Sequence, residues 1–176
     1  MPGLVLEGGT FRPVFSCGVM DALLDNGILF DYVIGVSAGI TYAASYLSRQ
    51  RERNLNVLRR YRGDKRYLGA RNLLHDHSIF GTDFVFDTIP NQLLPFDWDT
   101  FHSYQGKYLV GVTNAKTGRA EYLNGMHMDR PCTMLRATCA IPIYFPPVRI
   151  DGETYYDGGL ADPIPIRRSL QDGNER

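Results

Sequence analysis

Three short segments of the chain hold residue types whose spacing could support nucleophilic catalysis. Gly35-Val36-Ser37-Ala38-Gly39 is a G-x-S-x-G pentapeptide, in which small residues on both sides let the backbone turn sharply and present a serine hydroxyl. It sits between a short apolar run, Tyr32–Val36, and a helical pattern reaching Leu47. The helix start would aim free N–H groups and a positive dipole end at negative charge developing beside Ser37. The plainer alternative is a tight turn in which Ser37 is only an N-cap.

An activated serine needs a base. His75, His77, His102 and His127 fall in polar, aromatic or turn-like stretches, and no histidine lies beyond position 127. The Ser, acid, His order of an α/β-hydrolase is therefore not supported. His75-Asp76-His77 has no third ligand placed by sequence, so no metal site is expected. Asp157-Gly158-Gly159 supplies the other candidate. A carboxylate can take the serine proton directly if it lies within hydrogen-bond reach and is partly desolvated. The third segment, Gly8-Gly9-Thr10-Phe11-Arg12-Pro13, could offer backbone N–H groups to an oxyanion. It fits neither the P-loop nor the dinucleotide fingerprint. Arg12 could hold an anionic head group or form a structural ion pair.

Hydropathy and turn signals outline the strands and helices around these groups. Gly3–Leu6 is a short apolar run ended by Gly8-Gly9, the pattern of a buried strand and a tight turn. Pro13 opens a helix over Val14–Asn26, with Phe15, Val19 and Leu23 on one stripe, Met20 and Leu24 beside it, and Asp21 and Asp25 on the wet side. Gly27 stands where a C-terminal cap is expected. Tyr32–Val36 then completes a βαβ unit, which implies a parallel sheet and a right-handed crossover. A helix over Arg53–Tyr61 follows. The stretch Asn72–Phe101 lacks sustained periodicity and reads as short helices and loops. Lys107–Thr113 and Arg119–Leu123 form a hairpin around a turn sequence. Cys132–Ala140 is helical and stops before Pro142. Val148–Ile150 and Thr154–Tyr156 flank an Asp151-Gly152 hairpin turn. Ser37 and Asp157 thus both fall at strand C-terminal ends, where open α/β sheets place their ligands.

Composition narrows the function classes. The chain has 176 residues, 44% hydrophobic, with 19 basic residues balancing 19 acidic ones. That length suits one domain with a core that needs no staples. A net charge of zero argues against a nucleic-acid binder. The run Arg49–Arg53 is interrupted by Gln50 and Glu52, so a polybasic anchor is not expected there. Cys17, Cys132 and Cys139 make an odd count without metal spacing, as in reduced core thiols. With no signal-like start and no run of ~18 apolar residues, the expected location is cytoplasmic.

Taken together, Leu4-Val5-Leu6-Glu7-Gly8-Gly9, Gly35-Val36-Ser37-Ala38-Gly39, Arg136–Pro142 with Phe145-Pro146-Pro147, and Tyr156-Asp157-Gly158-Gly159-Leu160 resemble the patatin-like phospholipase family over nearly the whole chain. The resemblance implies a three-layer α/β/α sandwich with a mainly parallel central sheet, without metal or cofactor. It implies lipid acyl ester hydrolysis through a dyad, with Ser37 as nucleophile, Asp157 as base and the Gly8-Gly9-Thr10 amides as oxyanion hole. Gly35, Gly39, Gly158 and Gly159 are its motif glycines. Thr10 and Pro13 stand where the family usually has glycine. The domain expected over residues 1–176 ends soon after Asp157, where family domains usually continue, so a shortened version or a fragment is expected. The partner expected is a lipid or acyl ester, with transient membrane-surface contact and no nucleic acid. Phe80, Phe84, Phe86, Leu93, Leu94, Phe96 and Trp98 could line an acyl pocket, touch a bilayer or serve as ordinary core. Two other readings use the same scaffold: a non-catalytic lipid- or protein-binding module, and acyl transfer to an acceptor other than water.

Overall fold

The computed structural model describes residues 2–75 and 77–175. Strand β1 (Leu4–Leu6) leads into helix α1 (Val14–Asp25), and strand β2 (Tyr32–Val36) into helix α2 (Ser37–Leu47). The β1–β2 pair is parallel, as the βαβ reading requires. Gly27 ends α1 at φ +68. The Ile28 N–H donates to the Leu23 carbonyl at 2.9 Å and the Gly27 N–H to that of Leu24 at 3.0 Å, the paired bonds of a Schellman cap.

Helix α1 does not bury the expected stripe. Cys17 and Met20 are its buried residues, while Phe15 is 82% exposed. The cause is tertiary: the turn after α2 docks on the carboxylates assigned to water. The Glu52 N–H donates to Asp21 Oδ1 at 3.0 Å and Arg51 Nε to Asp25 Oδ1 at 2.6 Å.

Helix α3 (Arg53–Tyr61), the single turn α4 (Asn72–His75), a π-helix (Phe84–Leu93) and α5 (Trp98–His102) make up the covering segment. The π-helix supplies Phe86 to the main core and Phe84 and Ile89 to a satellite cluster with Leu58 and Tyr67. Phe96 and Trp98 are also buried in the main core, so these two are core rather than bilayer-facing.

Strands β3 (Lys107–Asn114) and β4 (Ala120–Asn124) form the central hairpin. Helix α6 (Thr133–Thr138), strands β5 (Val148–Ile150) and β6 (Glu153–Asp157), and helix α7 (Ile166–Gln171) complete the chain. In the six-stranded sheet, β1, β2, β3 and β5 run one way and β4 and β6 the other. Alternation puts Val33 and Tyr108 on one face, where the Tyr108 hydroxyl donates to the Ile40 carbonyl of α2 at 2.7 Å. On the other face Tyr32 donates to Asp172 at 2.9 Å and Arg168 of α7 lies over the Tyr122 ring. Helices therefore cover both faces of the sheet.

The register of β3 decides where the site forms. β2 pairs with it in parallel and ends at Val36 opposite Gly111. β6 pairs with it antiparallel and ends at Asp157 opposite Val112. Because β4 occupies the other edge of β3 over Leu109–Thr113, β6 must use the edge that β2 uses, immediately beyond it. The two strands meet end to end, and their C-terminal residues become neighbours.

Candidate active site

Ser37 begins α2 with φ +51, a left-handed conformation rare for a residue bearing a Cβ. Strain of this kind persists only where the surroundings fix it. Here the Ser37 N–H donates to Thr138 Oγ1 at 2.8 Å, and the Thr138 hydroxyl donates to the Gly111 carbonyl at 2.5 Å. Thr138, fully buried, thus ties the turn to the central strand. The Ser37 carbonyl accepts from Thr41 Oγ1 at 3.0 Å. Gly39 lets α2 approach β1 so closely that a Cβ would collide with the Glu7 carbonyl oxygen. Gly35 lies in β2 opposite Leu6, and Gly158 packs against the Gly111 backbone.

Asp157 is 5% exposed and Ser37 6%. The Asp157 Oδ1 atom accepts the Gly159 N–H at 2.7 Å, its backbone N–H donates to the Ala140 carbonyl at 2.9 Å, and its carbonyl accepts from Thr113 at 2.8 Å. Burial pushes the carboxyl above its ordinary value, and the Ser37 hydroxyl and Gly159 N–H only partly offset this. No described group meets full hydrogen-bond geometry with the buried Oδ2, although Ser37 is the side chain that favours its charged form. Catalytic hydrogen bonds are often long or misaligned before substrate binds. The neighbouring Cys139 thiol is pushed up to about 12, chiefly by burial and then by Asp157, so it stays protonated at neutral pH.

The glycine-rich turn borders the same point. Gly8 passes within van der Waals reach of Ser37, since an added Cβ would lie 2.9 Å from the serine Cβ. Gly9 has φ +130 and Thr10 φ +54, so Thr10 takes up a conformation that a glycine would adopt more readily. The N–H groups of Gly9 and Thr10 donate to no carbonyl among the described residues. The Ala38 N–H, in the first turn of α2, also has no preceding helical carbonyl to meet; the residue after the serine in a G-x-S-x-G turn signals this donor. Arg12, the possible anion binder, is ion-paired with Glu7 at 2.9 Å on the surface.

Two cavities share Ser37 and Thr10. One of about 310 Å³ is mainly apolar, walled by Tyr42, Tyr67, Phe80, Phe86, Ile141 and Phe145 among others. The second, about 250 Å³, holds Asp157, Glu7, Arg12, Leu160 and Pro163. Of the aromatic residues singled out in the covering segment, Phe80 and Phe86 line the first cavity. His77, His102 and His127 line neither. Asp76 lies outside the described residues. Thr138 falls within the Arg136–Pro142 segment singled out in the sequence, but its role is not legible there, because its bond to Ser37 spans 101 residues.

A serine at positive φ thus stands beside a buried carboxylate on an α/β sheet, with an apolar cavity on one side. Comparison with known proteins gives the family. The family model for "Patatin-like phospholipase" matches residues 4–169, and the chain belongs to the patatin-like phospholipase family. It is similar to the uncharacterized protein YjjU of Escherichia coli, at 26% identity over 97% of this chain and 48% of that protein. It is also similar to lysophospholipase nte1 of Aspergillus niger, at 25% identity over 93% of this chain and 11% of the relative. With NTE1 of Yarrowia lipolytica it shares 25% identity over 97% of this chain and 12% of that protein. The chain spans about half the length, or much less, of these relatives.

Proposed function

We propose that the chain is a serine acyl hydrolase acting on single-chain lipid esters, with Ser37 as nucleophile and Asp157 as base. The observation that carries this reading is the end-to-end meeting of β2 and β6 on one edge of β3, which sets Ser37 beside a buried carboxylate. Ser37 Oγ attacks the ester carbonyl carbon while its proton passes to Asp157. The carbonyl oxygen takes the negative charge, facing the Gly8–Thr10 turn and the start of α2, where preorganised donors count most. Collapse breaks the bond to the alcohol, which leaves with the proton returned from Asp157. Water then attacks the acyl-enzyme, Asp157 takes its proton, and the fatty acid is released with Ser37 restored.

The two cavities fit the two halves of such a substrate. The apolar one would take an acyl chain, at about 0.8 kcal/mol per buried methylene. The more polar one, with Glu7, Arg12 and Asp157, would face the leaving alcohol and incoming water. The lysophospholipase names of the relatives agree with a single acyl pocket.

Steady-state hydrolysis of a medium-chain p-nitrophenyl ester tests the reading, using wild type, Ser37→Ala and Asp157→Asn after circular dichroism shows that each is folded. Turnover should fall to background in both variants. Wild-type kcat/KM in either folded variant would overturn the dyad. Binding of the ester without turnover by the wild type would instead indicate the non-catalytic module. Ester products formed with an added alcohol would indicate acyl transfer.

A further inference from the structure

The neutral total charge is unevenly distributed. Between positions 59 and 71 stand Arg59, Arg60, Arg62, Lys65, Arg66 and Arg71 against one acid, Asp64. This segment therefore carries +5 and the rest of the chain −5. All six basic residues are exposed. Arg66 is paired with Asp64 at 2.8 Å, and the other five make no ion pair among the described residues. Interleaved and adjoining are exposed apolar side chains: Leu68 at 41%, Leu73 at 49% and Leu74 at 80%. Cations mixed with solvent-facing leucines are costly in water for the leucines, and they match a surface that is both anionic and oily.

The segment is continuous with the mouth of the Ser37 cavity. The Gly69 N–H donates to the Ile79 carbonyl at 2.9 Å and the Gly81 N–H to that of Tyr67 at 3.2 Å. Tyr67, Ile79 and Phe80 line the cavity itself. Phe80 stacks on Phe145 with ring centroids 5.4 Å apart and meets Phe11 at 6.5 Å. Beside Phe145, Tyr144 is 56% exposed and Ile143 is 98% exposed at φ +75. A β-branched residue in that conformation is strained, and in water Ile143 gains almost no burial in return.

We infer that the basic segment 59–71, together with Leu73, Leu74 and the Ile143–Tyr144 rim, docks the protein on an anionic lipid surface so that the Ser37 cavity opens onto it. Nucleic acid would accept the same cations, but it offers nothing to the leucines or to Ile143. The inference rests on the acyl-hydrolase reading only in choosing a lipid surface over another polyanion. Its test does not need turnover.

Co-sedimentation of the Ser37→Ala protein with phosphatidylcholine vesicles, with and without phosphatidylglycerol, reads binding directly. The protein should bind phosphatidylglycerol vesicles in a salt-sensitive way. Joint reversal by Arg59→Glu, Arg60→Glu and Arg62→Glu should weaken that binding by about 100-fold or more. Leu73→Ser with Leu74→Ser should weaken it at high salt, where the apolar contribution dominates. In the Ser37-containing forms of the same variants, hydrolysis of a soluble p-nitrophenyl ester should be unchanged. Equal binding to both vesicle types would overturn the inference, as would wild-type affinity in the folded charge-reversal variant. So would a short DNA duplex or RNA that competes in the same salt range and is insensitive to the leucine changes. Vesicle binding without ester hydrolysis by the Ser37 form would sink the proposed dyad and leave the docking surface standing.

Discussion

Replacing Thr138 by valine isolates the pair of hydrogen bonds by which its hydroxyl ties the serine turn to the sheet. Valine keeps the size of the side chain but removes the hydroxyl, so the Ser37 N–H loses its acceptor and the Gly111 carbonyl loses a donor. Thr138 is fully buried, and water is poorly placed to take over. At ~1–3 kcal/mol for each of the two buried polar groups left unmatched, the change should cost about 2–6 kcal/mol. For a chain of this size that is a fall of roughly 4–24 °C in melting midpoint. Ser37 at φ +51 would relax once its amide is freed, and a displacement of about 1 Å at a reacting atom can cost ~10²-fold in rate. Thr138 does not line the apolar cavity, so kcat should fall with KM little changed. Thr138→Ser, which keeps the hydroxyl, should restore most of both losses. Thermal melts and steady-state ester hydrolysis on the three proteins read both quantities. A valine variant with wild-type kcat and midpoint would refute the positioning role, as would a serine variant equally impaired.

Other outcomes follow from the same geometry. Asp157 has a raised folded pKa, so its ionisation opposes folding: the contribution is favourable below the unfolded carboxylate value and lost as pH rises through the folded one. Asp157→Asn should therefore abolish hydrolysis without lowering the melting midpoint at neutral pH, and a clear drop would contradict burial as the dominant cause. With Asp157 as the proposed base, only its ionised form accepts the serine proton, so the acid limb of the kcat/KM profile should lie above the ordinary value of 3.8; a limb at that value would contradict the shift. Gly39→Ala drives a Cβ into the Glu7 carbonyl oxygen and should destabilise by about 1–3 kcal/mol in chemical denaturation. Phe86→Trp should narrow the apolar cavity and shift preference toward shorter acyl esters, measured as relative kcat/KM across chain lengths.

Much of the frame was legible because its signals are local. Gly27 required a left-handed cap, Asp151-Gly152 a tight hairpin turn, and both appear with positive φ. The βαβ start, α3 and the two hairpins also fall where the patterns put them. What stayed hidden depends on distant partners. The buried face of α1 is set by contacts between Asp21, Asp25 and the Arg51–Glu52 turn, which no periodicity within α1 encodes. The π-helix Phe84–Leu93, with Pro90 inside it, has no repeat that a 3.6-residue pattern detects. The motifs named Ser37 and Asp157, but their adjacency comes from the register of β3, and Thr138 from a bond across the fold. Likewise the neutral sum of charges concealed a +5 segment between positions 59 and 71.

Active-site labelling gives the sharpest test of the proposed Ser37–Asp157 dyad. The wild type, Ser37→Ala and Asp157→Asn proteins, each shown to be folded, would be treated with a fluorophosphonate probe and digested for mass spectrometry. One modified residue, Ser37, should appear in the wild type, with no labelling of Ser37→Ala and strongly slowed labelling of Asp157→Asn. Unmodified Ser37 in the folded wild type, or labelling unaffected by loss of the Asp157 carboxylate, would contradict the dyad.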